Sequence, residues 1–371
     1  MGHAASHLES NDLEPNYLPF EILDLIFSYA DRATLLSCLL LCHGLRPSVY
    51  KNIFGPHLVV TPAQLLRVIT LSCTNRAARR AISYYTKILT VDSKAGCAKV
   101  PLPSWDAEQL KDLFGNVGVV ELIGIDFGTF PLFTQFICAF PALHSISLSD
   151  LAWVRTDDPY GAGAIRYEHL VERSFTVSRL NIDTRNFIEV VRWLRAHKCL
   201  PSITAVHSHV QTGFHGHLFL KIMQDLSDTV QKLKLDVTFV GAVHNNLTGL
   251  VSCRNLRRLH IINPIVEQAR TQRMLTTILN QIVSTQIETI TFTLLIQRKK
   301  KLRHLEWKAI ADILRRDVRF SRLKVIRIKL TGWQDSDECI TFQPDASQIL
   351  RSELAYFEKN QMLVIKFLHP Y

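Results

Sequence analysis

The chain has 371 residues, 47% hydrophobic and 20% charged, with a formal net charge of +10. That balance excludes a disordered, collagenous or coiled-coil protein and supplies enough apolar material for a sizeable core. The eight cysteines form no C-x-x-C pair. They indicate neither a disulfide framework nor a structural zinc site, and reduced thiols in a cytosolic or nuclear protein fit better.

Residues 1 to 16 are polar, contain no apolar run of a secretory signal, and read as a flexible tail. The longest uncharged apolar run, Ala33 to Leu45, has thirteen residues. A spanning helix needs roughly 20, so no membrane segment is expected. From residue 17 the pattern becomes helical: Leu18, Ile22, Leu23, Ile26 and Phe27 recur on one face, with Pro19 and Glu21 suited to a first turn. Thr34 to Leu45 carries no charge and is apolar nearly all round, so it must be covered on more than one side. A unit of about 40 residues cannot supply that cover alone, and surplus apolar surface implies docking.

The order and spacing of these residues resemble an F-box. The resemblance is carried by Leu18-Pro19-Phe20-Glu21-Ile22-Leu23, then Ile26-Phe27-Ser28-Tyr29, then Leu35-Leu36 through Leu39 to Cys42, and finally Arg46-Pro47-Ser48-Val49-Tyr50 with Phe54. Gly44-Leu45 stands where the family often has a Trp. The resemblance implies a helical domain over 17 to 57 that binds a Skp-type adaptor, and through it a cullin. On that reading Leu18, Pro19, Ile22, Leu23, Ile26, Phe27, Leu36 and Leu39 form the adaptor surface.

Residues 58 to 371 show a loose L-x-x-L-x-L frame of apolar residues. It occurs at Val120-x-x-Ile123-x-Ile125, Leu143-x-x-Ile146-x-Leu148, Val177-x-x-Leu180-x-Ile182 and Val230-x-x-Leu233-x-Leu235. It returns at Leu256, Ile287, Leu323 and Met362, with half-matches at Ile203-x-x-Val206 and Leu89-x-Val91. Each frame alternates apolar and polar residues as a half-buried strand does. Helical patterns lie between frames, for example Met274, Leu275, Ile278, Leu279 and Ile282. Such units cannot bury their own apolar faces and stack into a solenoid. This part resembles the leucine-rich repeats that commonly follow an F-box, including in fungal families. The expected fold is therefore α/β, a small all-helical F-box followed by an irregular leucine-rich-repeat-like β/α solenoid. A doubly wound α/β domain is the alternative that strand–helix alternation leaves open.

Enzymatic motifs are absent: there is no phosphate loop, no G-x-G-x-x-G, no G-x-S-x-G and no H-E-x-x-H. His207, His209, His215 and His217 form two His-x-His pairs, but no acid or Cys accompanies them, and they read as a solvated loop. Asp126, Asp150, Asp183 and Asp236 follow strand frames and read as turn residues. No catalytic residue, metal or cofactor is expected.

Arg298 to Lys329 holds thirteen Lys and Arg against three acids, which accounts for the whole net charge. Arg298-Lys299-Lys300-Lys301-Leu302-Arg303 resembles a nuclear localisation cluster. Arg315, Arg316, Arg319 and Arg322 are the candidate substrate-binding residues, suited to an acidic or phosphorylated protein. No aromatic interleaving supports nucleic acid. The function this implies is the substrate-recognition subunit of a Skp–cullin–F-box ubiquitin ligase, cytoplasmic and/or nuclear. The alternative is a repeat scaffold whose F-box no longer binds the adaptor.

Overall fold

Short segments that alternate apolar and polar residues make strands with one face to hide, and eleven such strands join into one sheet. The structure, a computed structural model, describes residues 18–41, 43–93, 100–101, 105–154, 176–183, 187–196, 198–209, 223–237, 248–262, 274–295, 302–303, 305–331 and 338–368. The polar start (1–16), Cys42, the lysines of 298–301, and His215 and His217 lie outside the described residues.

The large sheet consists of β1 (His57–Val60), β2 (Ile88–Asp92), β4 (Val119–Ile123), β6 (Ser145–Ser149), β8 (Arg179–Asp183), β9 (Ala205–His209), β10 (Lys232–Asp236), β11 (Arg258–Ile262), β12 (Thr289–Leu295), β13 (Val325–Thr331) and β14 (Leu363–Phe367). Every neighbouring pair is parallel, and the spatial order is the chain order. A doubly wound sheet reverses its strand order at a switch point and buries both faces. No such reversal occurs among the described strands. A second, three-stranded parallel sheet joins β3 (Val100–Pro101), β5 (Ile125–Thr129) and β7 (Ala152–Val154).

One face of the large sheet is covered. Leu89, Val91, Val120, Leu122, Ile146, Leu148, Leu233, Leu235, Ile326 and Ile328 are all buried in one continuous core. Helices interleaved with the strands supply the other side of that core. α4 (Pro62–Thr74) starts in a capping box, where Thr61 N–H donates to Gln64 Oε1 at 2.9 Å and Gln64 N–H to Thr61 Oγ1 at 3.3 Å. α5 (Arg76–Tyr85) and α6 (Ala107–Leu113) follow, and α7 (Phe130–Cys138) presents Phe133 and Phe136 to Phe127, Trp105, Trp153 and Trp193. Further along come α8 (Phe187–Ala196), α9 (Met274–Gln281), α10 (Trp307–Arg316), α11 (Glu338–Glu353) and α12 (Ala355–Lys359).

The polypeptide turns from the large sheet into the small one at a sharp corner. Gly124 sits there with φ +67°, and a Cβ on it would lie 2.3 Å from Ser93 Oγ, so only glycine fits. Asp150 takes the same corner one unit later at φ +51°, a conformation Asp tolerates. Successive units are also tied by side chains just ahead of the frames. Asn116 donates to Ser83 O at 2.8 Å, Ser202 to Val177 O at 2.8 Å and Asn255 to Asp228 O at 2.7 Å.

The corner explains one correction to the sequence reading. Val120 and Leu122 are buried while Ile123 is exposed, so the apolar frame of that unit is Val117, Val120 and Leu122, three residues earlier than the spacing suggested. Ile123 and Ile125 flank the corner glycine and together imitate the frame. The half-matches prove to be complete strands, β2 and β9; buried Thr86, just ahead of β2, and Ser208, within β9, occupy frame positions otherwise taken by aliphatic residues. At the C-terminal end the ladder pairs Ile326 with Leu363 and Ile328 with Ile365, and Met362, Ile365 and Phe367 of that frame all pack, partly buried, against the core.

Ahead of the sheet stands a module of α1 (Phe20–Ser28), α2 (Arg32–Leu41) and α3 (Arg46–Ile53). Pro19 occupies the N-cap of α1, Pro47 the first turn of α3, and Asp31 accepts from Thr34 N–H at 2.7 Å to open α2. Its own core is small: Phe27, Leu35 and Val49. α3 continues into the main core through Tyr50 and Phe54, and Thr86 donates to Phe54 O at 3.0 Å.

At the far end, Ala346, Leu350, Leu354 and Phe357 are buried over the unit of β13. Deleting residues 345 to 371 removes these and β14, uncovering a parallel edge and the apolar residues beneath it. Light scattering of the purified protein should show a shift from monomer to aggregate. A monomeric truncation with unchanged thermal stability would make the last unit an appendage.

Candidate functional site

The face of the large sheet opposite the core is where the alternation places polar side chains in rows across the strands. One row runs Thr90, Glu121, Ser147, Asn181, His207 and Lys234, and continues through His260, Thr291 and Arg327, each paired in register with the next. The row beside it holds Ser145, Arg179, Ala205, Lys232, Arg258 and Thr289. All of them except Thr90 line a trough of about 430 Å³. Five of the lining side chains are Lys or Arg (179, 232, 234, 258 and 327), and one is a carboxylate, Glu121. Glu121 already accepts from Thr90 Oγ1 at 2.7 Å, at the far end of the row.

Electrostatically, the trough is a crowd of cations with few counter-charges. Burial pushes the Lys234 ammonium below its ordinary value and Lys329 adds to this, while Asp236 opposes it. Burial likewise holds His260 down at about 4, with Lys234 and Lys329 contributing, and its Nε2 lies 2.8 Å from Thr293 Oγ1. Lys329 and Lys366 are register neighbours on β13 and β14, like charges side by side. Asn181 Nδ2 donates to Ser147 Oγ at 2.8 Å, and its Oδ1 has no hydrogen-bond partner among the described residues. None of the five lining cations makes an ion pair among the described residues.

The arginines singled out from sequence lie elsewhere. Arg315 and Arg316 are in the last turn of α10, Arg315 with its guanidinium 5.3 Å over the Tyr356 ring and Arg316 paired with Asp312 at 3.5 Å. Arg319 is a structural tie: its Nε donates to Asp317 Oδ2 at 2.8 Å, and its Nη1 to Asn280 O at 2.9 Å and to Ile282 O. The hydrogen bond from Asp317 keeps the Arg319 guanidinium above its usual range, and Arg319 keeps the Asp317 carboxyl below its own. Arg322 donates to Gln286 Oε1. The basic stretch is thus divided: its helical part ties α10 to neighbouring units, while Arg327 and Lys329 reach the sheet face opposite the core.

The aspartates are not brought together. Asp126 lies in the small sheet and accepts from Gly128 N–H at 2.8 Å, and Asp150 occupies the corner. Asp183 and Asp236 end strands two places apart. His207 sits on the sheet face between Asn181 and Lys234. Among the described residues no group of three or more His, Cys, Asp or Glu is placed to hold a metal, and no helix is long and apolar enough to cross a membrane.

A second candidate surface is on the helical module. Leu18 (54% exposed), Ile22, Ile26 and Leu36 face outward, with Pro19 beside them. Leu23 and Leu39 are partly buried against the small core, and Phe27, at 6%, belongs inside it. The sequence reading omitted Leu25 and Tyr29, exposed at 54% and 85%. Leu25 is three residues after Ile22 and Tyr29 three after Ile26, the helical spacing that could have signalled them. A cleft of about 1060 Å³ lies where α3 of the module meets α5, walled by Arg46, Tyr50, Arg76, Arg80 and Tyr84, with Arg79 paired to Asp112 at 3.1 Å. No family model matches the chain, and no curated protein matches it significantly.

The buried imidazole makes the sheet face testable. The unfolded chain takes up the His260 proton near 6.5, the folded chain only near 4, so stability falls as the pH drops through that window. His260→Gln should remove about 2 kcal/mol of the loss between pH 7 and pH 5, read by urea denaturation at each pH. Identical pH dependence in both proteins would contradict a neutral, desolvated His260.

Proposed function

We propose that this chain is the substrate receptor of a Skp–cullin–F-box ubiquitin ligase, with the helical module as the F-box and the parallel sheet as a leucine-rich-repeat-like arc. The single observation that carries this reading is the uncovered apolar face of α1 and α2. Leu18, Ile22, Leu25, Ile26, Tyr29 and Leu36 are exposed on a module whose buried core, among the described residues, is Phe27, Leu35 and Val49. Soluble proteins rarely leave such a contiguous patch uncovered unless something binds it. It coincides with the residues that resemble the F-box pattern.

The second support is mechanical. The module is joined to the sheet by packing as well as by the chain, because Tyr50 and Phe54 of the third helical segment belong to the main core. A partner held by the sheet would therefore sit at a fixed distance from an adaptor held by α1 and α2. The receptor's contribution is proximity: it raises the effective concentration of partner lysines near the ubiquitin-charged enzyme brought by the cullin. No bond is made or broken by this chain in that scheme, and its place of work is the cytoplasm or nucleus.

Leu18→Ala combined with Ile22→Ala should weaken binding to a purified Skp-type adaptor thirtyfold or more by calorimetry, with little change in thermal stability because both side chains are exposed. Phe27→Ala should instead lower stability by about 3–5 kcal/mol, since its ring is buried. Failure of the natural chain to bind the adaptor would leave the repeat scaffold as the reading.

A further inference from the structure

We propose that the trough on the sheet face opposite the core binds an extended acidic segment of a partner protein, its carboxylate or phosphate groups seated among Arg179, Lys232, Lys234, Arg258 and Arg327. This moves the anion-binding surface from the arginines of 315 to 322 to the sheet.

Arg316, Arg319 and Arg322 each make a polar contact within the chain, and Arg315 lies on the Tyr356 ring. The five trough cations have no ion-pair partner among the described residues, and Arg179, Lys232, Arg258 and Arg327 are exposed. Crowding like charges on adjacent strands costs stability, and a bound anion offsets that cost. The depressed Lys234 and His260 report the same surplus of positive charge in a partly desolvated place.

Shape selects the kind of anion. From β8 to β13 there are five strand steps. At about 4.8 Å each this gives a basic strip of about 24 Å, which an extended peptide of about seven residues would cross. The Ser147 hydroxyl and the Asn181 side-chain amide lie in the same trough and add polar groups beside the cations. Among the described residues no Phe, Tyr or Trp lines the trough to form an aromatic platform on which nucleic-acid bases would stack.

The occupant's being a protein segment rests on the receptor reading above, whereas the anion preference rests on the trough alone. The test uses the full chain and three fluorescent probes: a twelve-residue peptide of Glu and Ser, the same peptide with phosphoserine at each Ser, and oligo-dT of twelve nucleotides. Anisotropy should show the peptides binding, the phosphoserine one more tightly if phosphate is the natural group, and oligo-dT more weakly than the better peptide. Arg258→Glu with Arg327→Glu should weaken peptide binding thirtyfold or more. Arg258→Gln with Arg327→Gln guards against misfolding and should cost about tenfold. Arg315→Glu with Arg316→Glu should change it less than twofold, and raising salt from about 0.05 to 0.2 M should weaken it about tenfold. All variants should retain adaptor binding, which separates failure of this proposal from failure of the receptor reading. No peptide binding by the natural chain, equal loss from the 315/316 reversal, or tighter binding of oligo-dT would each overturn the proposal.

Discussion

Everything in this chain depends on one constraint: a run of parallel strands, each hydrogen-bonded to the next in chain order, with apolar side chains on the face that meets the core. Parallel neighbours need a crossover between them, and the described helices of those crossovers join the apolar positions of the strands in one shared core. The alternate positions carry the polar side chains, of which Arg179, Lys232, Arg258 and Arg327 are exposed. What the fold leaves open is therefore as determined by the alternation as what it buries.

That division was largely legible in the sequence on the buried side. Frames such as Leu143, Ile146 and Leu148 announce themselves because all three side chains are aliphatic and buried. Legibility failed where a polar residue takes a core position and finds a backbone partner, as buried Thr86 does by bonding Phe54 O. It failed again at Gly124, where the chain bends between two sheets and the apolar residues on both sides of the bend imitate one strand.

The open face was much harder to see. Arg179, Lys232, Arg258 and Arg327 come from separate strands and are dispersed in sequence, so no window of the chain shows them as a cluster. A contiguous basic stretch, by contrast, catches the eye although a helix and a strand within it point its charges in different directions. Arg319 shows the consequence: an arginine conspicuous in sequence is occupied by Asp317 and two carbonyls of a neighbouring unit. Charge that matters for a partner is charge left unpaired by the fold, and only the register across strands reveals it.

The helical module follows the opposite logic. Among the described residues its core is small: Phe27, Leu35 and Val49 lie inside, with Leu23 and Leu39 packed against them, and an outward set is exposed. The central claim is that this set is a docking face held apart from the sheet's open face. Hydroxyl-radical footprinting read by mass spectrometry measures it most directly, because Tyr29 at 85% and Tyr84 at 70% exposure are both reactive reporters in the free chain. With a Skp-type adaptor bound, oxidation of Tyr29, Leu25 and Ile26 should fall about tenfold or more, while Tyr84 and Val318 stay as reactive as before. Unchanged oxidation of Tyr29 in the presence of saturating adaptor, or protection centred on Tyr84, would contradict the account.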